Sequence, residues 1–126
     1  MGVSLPRAEH LRTGRAAEDW VLAHMERQGM RCLERNYRSR FGEIDLIMQD
    51  EATVVFVEVR YRRSATHGQA IETVDGRKQA RLRATANCFL TSTRWRGPVR
   101  FDVVGVAPEA GSAKFQLQWI RNAIQD

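Results

Sequence analysis

The amino-acid sequence predicts an α/β fold, a mixed central sheet flanked by helices. Three observations carry that expectation. "TGRAAEDWVLAHMERQG" and "AIETVDGRKQARLRATANCFLTS" place apolar residues at helical spacing. "GEIDLIMQ" and "TVVFVEVRY" are adjacent β-rich runs broken by "DEA". "GPVRFDVVGVAP" resumes the strand pattern after the second helix. A chain of 126 residues suits a single domain, expected over residues 13–126 after a flexible arm at 1–12.

In the first helix Thr13 is the expected cap and Gly29 the stop. Ala17, Trp20, Val21, His24, Met25 and Gln28 form its mostly apolar stripe. Glu18 and Asp19 fall in its first turns, where acids also suit the helix dipole. "RCLERNYRS" is a weak first strand. "GEIDLIMQ" follows, with Ile44, Leu46 and Met48 expected on one face and Glu43, Asp45 and Ile47 on the other. "TVVFVEVRY" is β-branched and apolar on both faces, so a central position is expected. The second helix is expected to begin near residues 73–77 and to reach Phe89 or Leu90, with Leu82, Ala86 and Phe89 inward. Gly97-Pro98 turns the chain into the next strand, and "KFQLQWI" is a last strand or edge.

Composition narrows the function classes. The net charge is +5, and 20 residues are Lys or Arg, but only Lys78 and Lys114 are lysines. Such an excess suits a polyanion, and the planar arginine fork suits phosphate; a general bias toward arginine gives the same count. Cys32 and Cys88 lack metal-ligand spacing and are expected in the core. No apolar run approaches the roughly 20 residues of a membrane span, and the start lacks the apolar region of a signal peptide. No membrane partner and a cytoplasmic location are therefore expected.

The chemistry is expected at the two central strands. If their turn centres on Asp50 and Glu51, Glu43 faces Glu58 and Asp45 faces Phe56. Glu43, Asp45, Glu58 and Arg60 then gather on one side of the sheet, where diagonal neighbours lie about 7–8 Å apart. Clustered carboxylates repel one another and cost desolvation. A hard divalent cation relieves both, and an oxygen-only donor set suits Mg²⁺. On spacing alone a second reading stays open: Glu58 and Arg60 as a surface ion pair, Glu43 in a turn and Asp45 as a lone strand acid.

The strings "GRAAEDW", "RNYRSRFGEIDLI", "VVFVEVRYR", "GQAIETVDGRKQARL" and "VRFDVVGV" resemble the small bacterial YraN-like proteins. That family is related to archaeal Holliday-junction resolvases within the PD-(D/E)xK nuclease superfamily. The resemblance runs from about residue 13 to 107 and implies a restriction-endonuclease-like αβββαβ core. It implies that Asp45 and Glu58 hold Mg²⁺ or Mn²⁺ with the Val59 carbonyl as a further ligand. Glu18 takes the place of the first-helix glutamate, and Glu43 supports the site. The family pattern breaks at Arg60, where lysine is expected. Arginine stays charged and cannot act as a base, but it can bind phosphate or steady developing charge.

Arg62, Arg63, Arg77, Lys78 and Arg81 flank the acids and are candidates for nucleic-acid binding. They suit phosphate contacts without base readout. Lys78 carries a further option, to stand in for the missing lysine if its side chain reaches the site, but a solvated face or a phosphate contact is the expectation. Tyr61 and His67 are secondary candidates for touching DNA, with packing and a turn as their plainer explanations, and His24 is expected to pack.

The residues and the resemblance together suggest a metal-dependent endonuclease with Glu18, Asp45, Glu58 and Arg60 as catalytic residues; that it acts on branched or single-stranded DNA is implied by the resemblance alone. The alternative is a nucleic-acid-binding protein that keeps the nuclease fold but is impaired in cutting by Arg60. A third reading is an interaction protein whose acids only form ion pairs. The resolvase relatives imply a homodimer, which no strip of this sequence proves.

Overall fold

Eight elements follow the chain in the computed structural model, which describes residues 2–3, 14–62, 74–108 and 115–124. They are β1 (Gly2–Val3), α1 (Gly14–Arg27), β2 (Arg31–Ser39), β3 (Gly42–Asp50), β4 (Thr53–Tyr61), α2 (Gly76–Thr93), β5 (Val99–Pro108) and β6 (Phe115–Ile120). The strands form one sheet in the order β1-β6-β5-β4-β3-β2. Only β4 and β5 pair in parallel; the other neighbours are antiparallel. A parallel pair needs a long crossover, and α2 provides it. This is the mixed α/β architecture that the segment order predicts. Thr13 and most of the expected arm lie outside the described residues, while Gly2–Val3 pairs with β6.

The two helices cover opposite faces. Val21 and Met25 of α1 pack with Leu46, Met48, Val55, Val57, Val104 and Val106. Leu82, Ala86 and Phe89 of α2 pack with Ile44, Ile47, Val54, Phe56 and Val103. Alternation along β4 sends Val55 and Val57 one way and Val54 and Phe56 the other, as its double-sided apolar sequence requires. Each fully buried side chain of this kind contributes about 1.5–3 kcal/mol. Among the described residues no helix is long and apolar enough to cross a membrane.

Helix ends have local causes. Gly29, at φ +93°, carries the chain out of α1, a backbone conformation that L side chains rarely adopt. Asp75 caps α2, its carboxylate accepting from the Lys78 N–H at 2.9 Å. The helix outlasts its expected end at Phe89 or Leu90 and runs through Thr93. There the Ser92 and Thr93 hydroxyls donate to the Phe89 carbonyl, and left-handed Arg94 closes the turn.

Two expectations about β3 fail. The hairpin turns at Glu51 and Ala52 rather than at Asp50 and Glu51, so Asp50 pairs with Thr53 and Ile47, not Asp45, faces Phe56. Asp50 belongs to the strand because its carboxylate accepts from Arg100 at 3.2 Å, and Glu51 takes the positive φ of the turn. The shift is two residues, so the parity of the faces is kept. The β3–β4 ladder then stops at Leu46–Val57, before Asp45 and Glu58 come level. The second failure is Ile44, which joins Ile47 on the α2 face while Leu46 and Met48 face α1. A regular strand cannot do this, so the chain turns over at Asp45. Opposite it, Asn36 of β2 stands at φ +49°.

In β5, level with Val57, Asp102, 1% exposed, accepts from Arg100 Nε at 3.1 Å, Trp119 Nε1 at 2.9 Å and the Asn122 N–H at 2.9 Å. Arg100 also reaches Asp50. This buried network ties β5, β6 and the β3–β4 turn together. The cysteines are only partly buried, against expectation. Cys32 packs at the edge of the α1-side core. Cys88 lines an open hollow of about 570 Å³ with Phe41, Ala84, Asn87, Thr91 and Ser92.

Candidate functional site

The site forms where β3 and β4 part. Past the last ladder pair, Leu46–Val57, the backbone of Val59 has no β3 partner to meet. Asp45 fills that place: its Oδ2 accepts the Val59 N–H at 2.8 Å. Arg62 N–H bonds the Val106 carbonyl, so even-numbered residues at this end of β4 turn their backbone toward β5. By alternation Val59 turns its N–H and carbonyl toward β3. Asp45 also hydrogen-bonds the Glu58 side chain and lies within electrostatic reach of Glu18. Glu18 comes from the α1 face and Glu58 from the α2 face, and the break in the strand lets Asp45 meet both.

Two carboxyls this close and this buried cannot both stay ionised without a counter-charge. Burial first, then the charge of Glu58, pushes the Asp45 carboxyl up to about 8. The Val59 N–H pulls it down, while Glu18 and the hydrogen bond with Glu58 push it further up. Asp45 thus holds its proton more tightly than an ordinary aspartate. Glu58 is 5% exposed and Glu18 9%. Both are buried more deeply than a surface ion pair allows: the Glu58–Arg60 pair of the second reading does form, at 3.1 Å, but not at the surface.

Glu18 does not serve the helix dipole, since α1 has no acid in its first turn. Instead Asn36 Nδ2 donates to Glu18 Oε1 at 2.8 Å, and Arg35 lies 3.9 Å from the same oxygen while bonding Asp19. Asn36 is a site residue that reading the sequence missed. Its signal was an Asn inside a strand, which tolerates the left-handed backbone better than most residues. Glu43, in contrast, stays at the surface, accepting from Arg38 Nε at 2.9 Å.

Two cations converge on one atom. Arg60 Nη2 stands 3.1 Å and Lys78 Nζ 3.2 Å from Glu58 Oε2. Lys78 thus reaches the site, against the solvated face expected for it. Arg60 Nε is buried and has no hydrogen-bond partner among the described residues. Arg77 and Arg81 are exposed on α2, one turn apart, and Arg81 lies over the β2–β3 turn, close to Gly42. Arg62 is half-buried at the end of β4. Arg63 and His67 lie outside the described residues. Tyr61 packs against the α1-side core, and His24 stacks on Trp20 with its edge to Trp119. Those placements favour packing for both.

The donor set suits a hard cation: Asp45, Glu58 and the Val59 carbonyl are all oxygen, and Mg²⁺ is held by one or two carboxylates with water or phosphate completing its shell. Among the described residues no group of three or more His, Cys, Asp or Glu is arranged to hold a metal, so Asp45 and Glu58 would contribute as a pair.

The uncharacterised protein family UPF0102 matches residues 17–106, a span that includes Glu18, Asn36, Asp45, Glu58 and Lys78. A UPF0102 protein of Methylococcus capsulatus is 50% identical over 113 residues, covering 90% of each chain. Another, of Pseudomonas entomophila, is 50% identical over 123 residues, covering 96% of this chain and 99% of its own. Among solved structures, Pyrococcus furiosus SfsA in complex with Ca²⁺ is similar with a TM-score of 0.35 and 13% identity, over 86% of this chain and 62% of that one. That likeness is too distant to carry an argument. The sequence relatives are another matter, for they run nearly end to end: the chain belongs to the UPF0102 (YraN-like) family.

Proposed function

We propose that the chain is a Mg²⁺- or Mn²⁺-dependent endonuclease acting on structured DNA, branched or single-stranded. One observation carries this reading: the Asp45 and Glu58 carboxyls meet where the sheet splits, with Arg60 and Lys78 both on Glu58. A fold gains little from holding two acids at such a place, and such costs are commonest at functional sites. Asp45, Glu58 and the Val59 carbonyl would hold the cation. When bound, it supplies an activated water and neutralises charge on the phosphodiester.

The chain's own residues do the rest. Glu18, steadied by Asn36, keeps negative charge near the metal ligands. Arg60, fixed beside Glu58, would hold a phosphate oxygen. Arg77 and Arg81 bind backbone phosphates along α2, and Arg62 and Arg63 bind them beyond β4. None of these contacts reads base edges, so selection is by DNA structure. A second reading rests on Arg60 itself. A guanidinium cannot accept a proton, which favours binding without cutting if no other group does that work.

The test is cleavage of end-labelled four-way-junction, flap, single-stranded and duplex DNA in Mg²⁺ or Mn²⁺. Wild type is compared with Asp45→Asn and Arg60→Lys. The nuclease reading expects cutting that Asp45→Asn abolishes. Cutting by Arg60→Lys alone would mean a binding protein. Cutting that survives Asp45→Asn in a clean preparation would sink the assignment.

A further inference from the structure

Glu58 Oε2 cannot hold a divalent cation and keep both of its present partners. Arg60 Nη2 and Lys78 Nζ stand 3.1 and 3.2 Å from that single atom, so a divalent cation taken up on that oxygen displaces at least one. The two are not equally free to leave. Arg60 sits two residues along the same strand and its side chain is 24% exposed. Lys78 reaches over from the first turn of α2 on a flexible four-carbon stem and is 36% exposed. Its backbone is anchored separately, by the Asp75 cap, so the ammonium can leave without unwinding the helix. Arg77 and Arg81 lie on the same helix surface and face solvent, so phosphates held there lie within a lysine's reach.

We propose that Lys78 is the displaceable counter-ion of Glu58: its ammonium holds the carboxylate in the metal-free protein and moves to a substrate phosphate oxygen when a divalent cation binds. This inference rests on the metal reading above. It assigns the two cations different work, Arg60 as the fixed charge and Lys78 as the mobile one. It also explains how a cleft holding two buried acids keeps its shape before metal arrives.

The experiment is a calorimetric titration of wild type, Lys78→Met, Lys78→Arg and Asp45→Asn with Mn²⁺. It is joined to binding of a four-way junction in Ca²⁺ across a salt series, and to thermal midpoints as a folding control. Removing a competing cation should tighten Mn²⁺ binding by Lys78→Met about 5- to 30-fold, the range for a partly exposed charge-assisted contact. The same variant should bind DNA more weakly, with a salt slope lower by about one. Lys78→Arg should stay close to wild type in the slope. Unchanged or weaker Mn²⁺ binding by Lys78→Met overturns the proposal, whether or not its midpoint falls, because a lysine that merely ties α2 to the sheet would move stability alone. Mn²⁺ binding by wild type that Asp45→Asn abolishes shows that the titration reads this site. Absence of binding in every protein overturns the metal reading and this inference with it.

Discussion

At the scale of single residues, the raised Asp45 carboxyl sets a pH dependence for the site. Asp45 is pushed up to about 8, first by burial and then by Glu58, while an unfolded aspartate titrates near 3.8. A folded value above the unfolded one means that the folded state binds the proton more tightly. Its contribution to stability is therefore fully present below about pH 4 and is lost as pH rises through about 8. Metal-free wild type should lose stability over that window, and Asp45→Asn, which has no proton to lose, should not show this component. The gap between the two should widen in favour of the variant by about 1–3 kcal/mol from pH 5 to pH 8.5. Urea denaturation at both pH values in chelator measures it, and an equal fall in both proteins would remove the Asp45 proton from the account. Excess Mg²⁺ should restore wild type at pH 8.5 and leave Asp45→Asn unmoved. Asn36 makes a different kind of prediction. At φ +49°, glycine fits its backbone and valine does not. Asn36→Gly should stay within about 1 kcal/mol of wild type, whereas Asn36→Val should cost about 2–3 kcal/mol. Both lose the 2.8 Å bond to Glu18, so both should weaken Mn²⁺ binding. Weakening by the valine variant alone would reduce Asn36 to a backbone device.

Elements differ in how openly their sequences declare them. α2 was legible because its apolar period and its cap are local, and β4 because it is apolar on both faces. The break in β3 was not legible. Alternation alone puts Ile44 with Leu46, and only the tertiary pull on Asp45, from the Val59 N–H on one side and the two glutamates around it, reverses the chain there. The hairpin register escaped for a related reason. "QDEAT" permits two turns of the same parity, and a residue 50 positions away, Arg100, selects between them by binding Asp50. Asp102 is the anchor of that arrangement. Its oxygens satisfy Arg100, the Trp119 indole and the Asn122 N–H, and all three donors lose their acceptor if it is truncated. Asp102→Ala should destabilise the protein by about 3–5 kcal/mol, the usual consequence of leaving a buried charge unpaired. Trp119 fluorescence gives a local readout during denaturation. A loss below about 1 kcal/mol would show that water takes over these donors.

For the whole molecule, a net charge of +5 says little until it is placed. Part of the arginine is spent internally, on Asp19, Glu43, Asp50, Glu58 and Asp102, and composition could not separate those residues from a binding surface. Arg77 and Arg81 are different: exposed, one helical turn apart and on the helix that delivers Lys78 to the carboxylates. The sequence located the acids because Asp45 and Glu58 stand inside apolar strands, where charge is conspicuous. It could not rank the arginines, because an arginine in an ion pair and one awaiting a phosphate read alike. Salt dependence ranks them. Each phosphate neutralised releases condensed counter-ions, so log K falls with log [salt] in proportion to the contacts made. Arg77→Ala and Arg81→Ala should each weaken binding of a four-way junction in Ca²⁺ and lower the slope by about one, equally for unrelated base sequences. Arg38→Ala is the comparison of equal charge change: its guanidinium is exposed but pairs with Glu43, so its removal should lower the slope by less than one. If all three variants fall alike, the affinity comes from net charge alone and α2 is not the binding surface. If only the α2 variants fall, the phosphates track the helix whose first turn meets Glu58, and substrate is delivered to the split in the sheet.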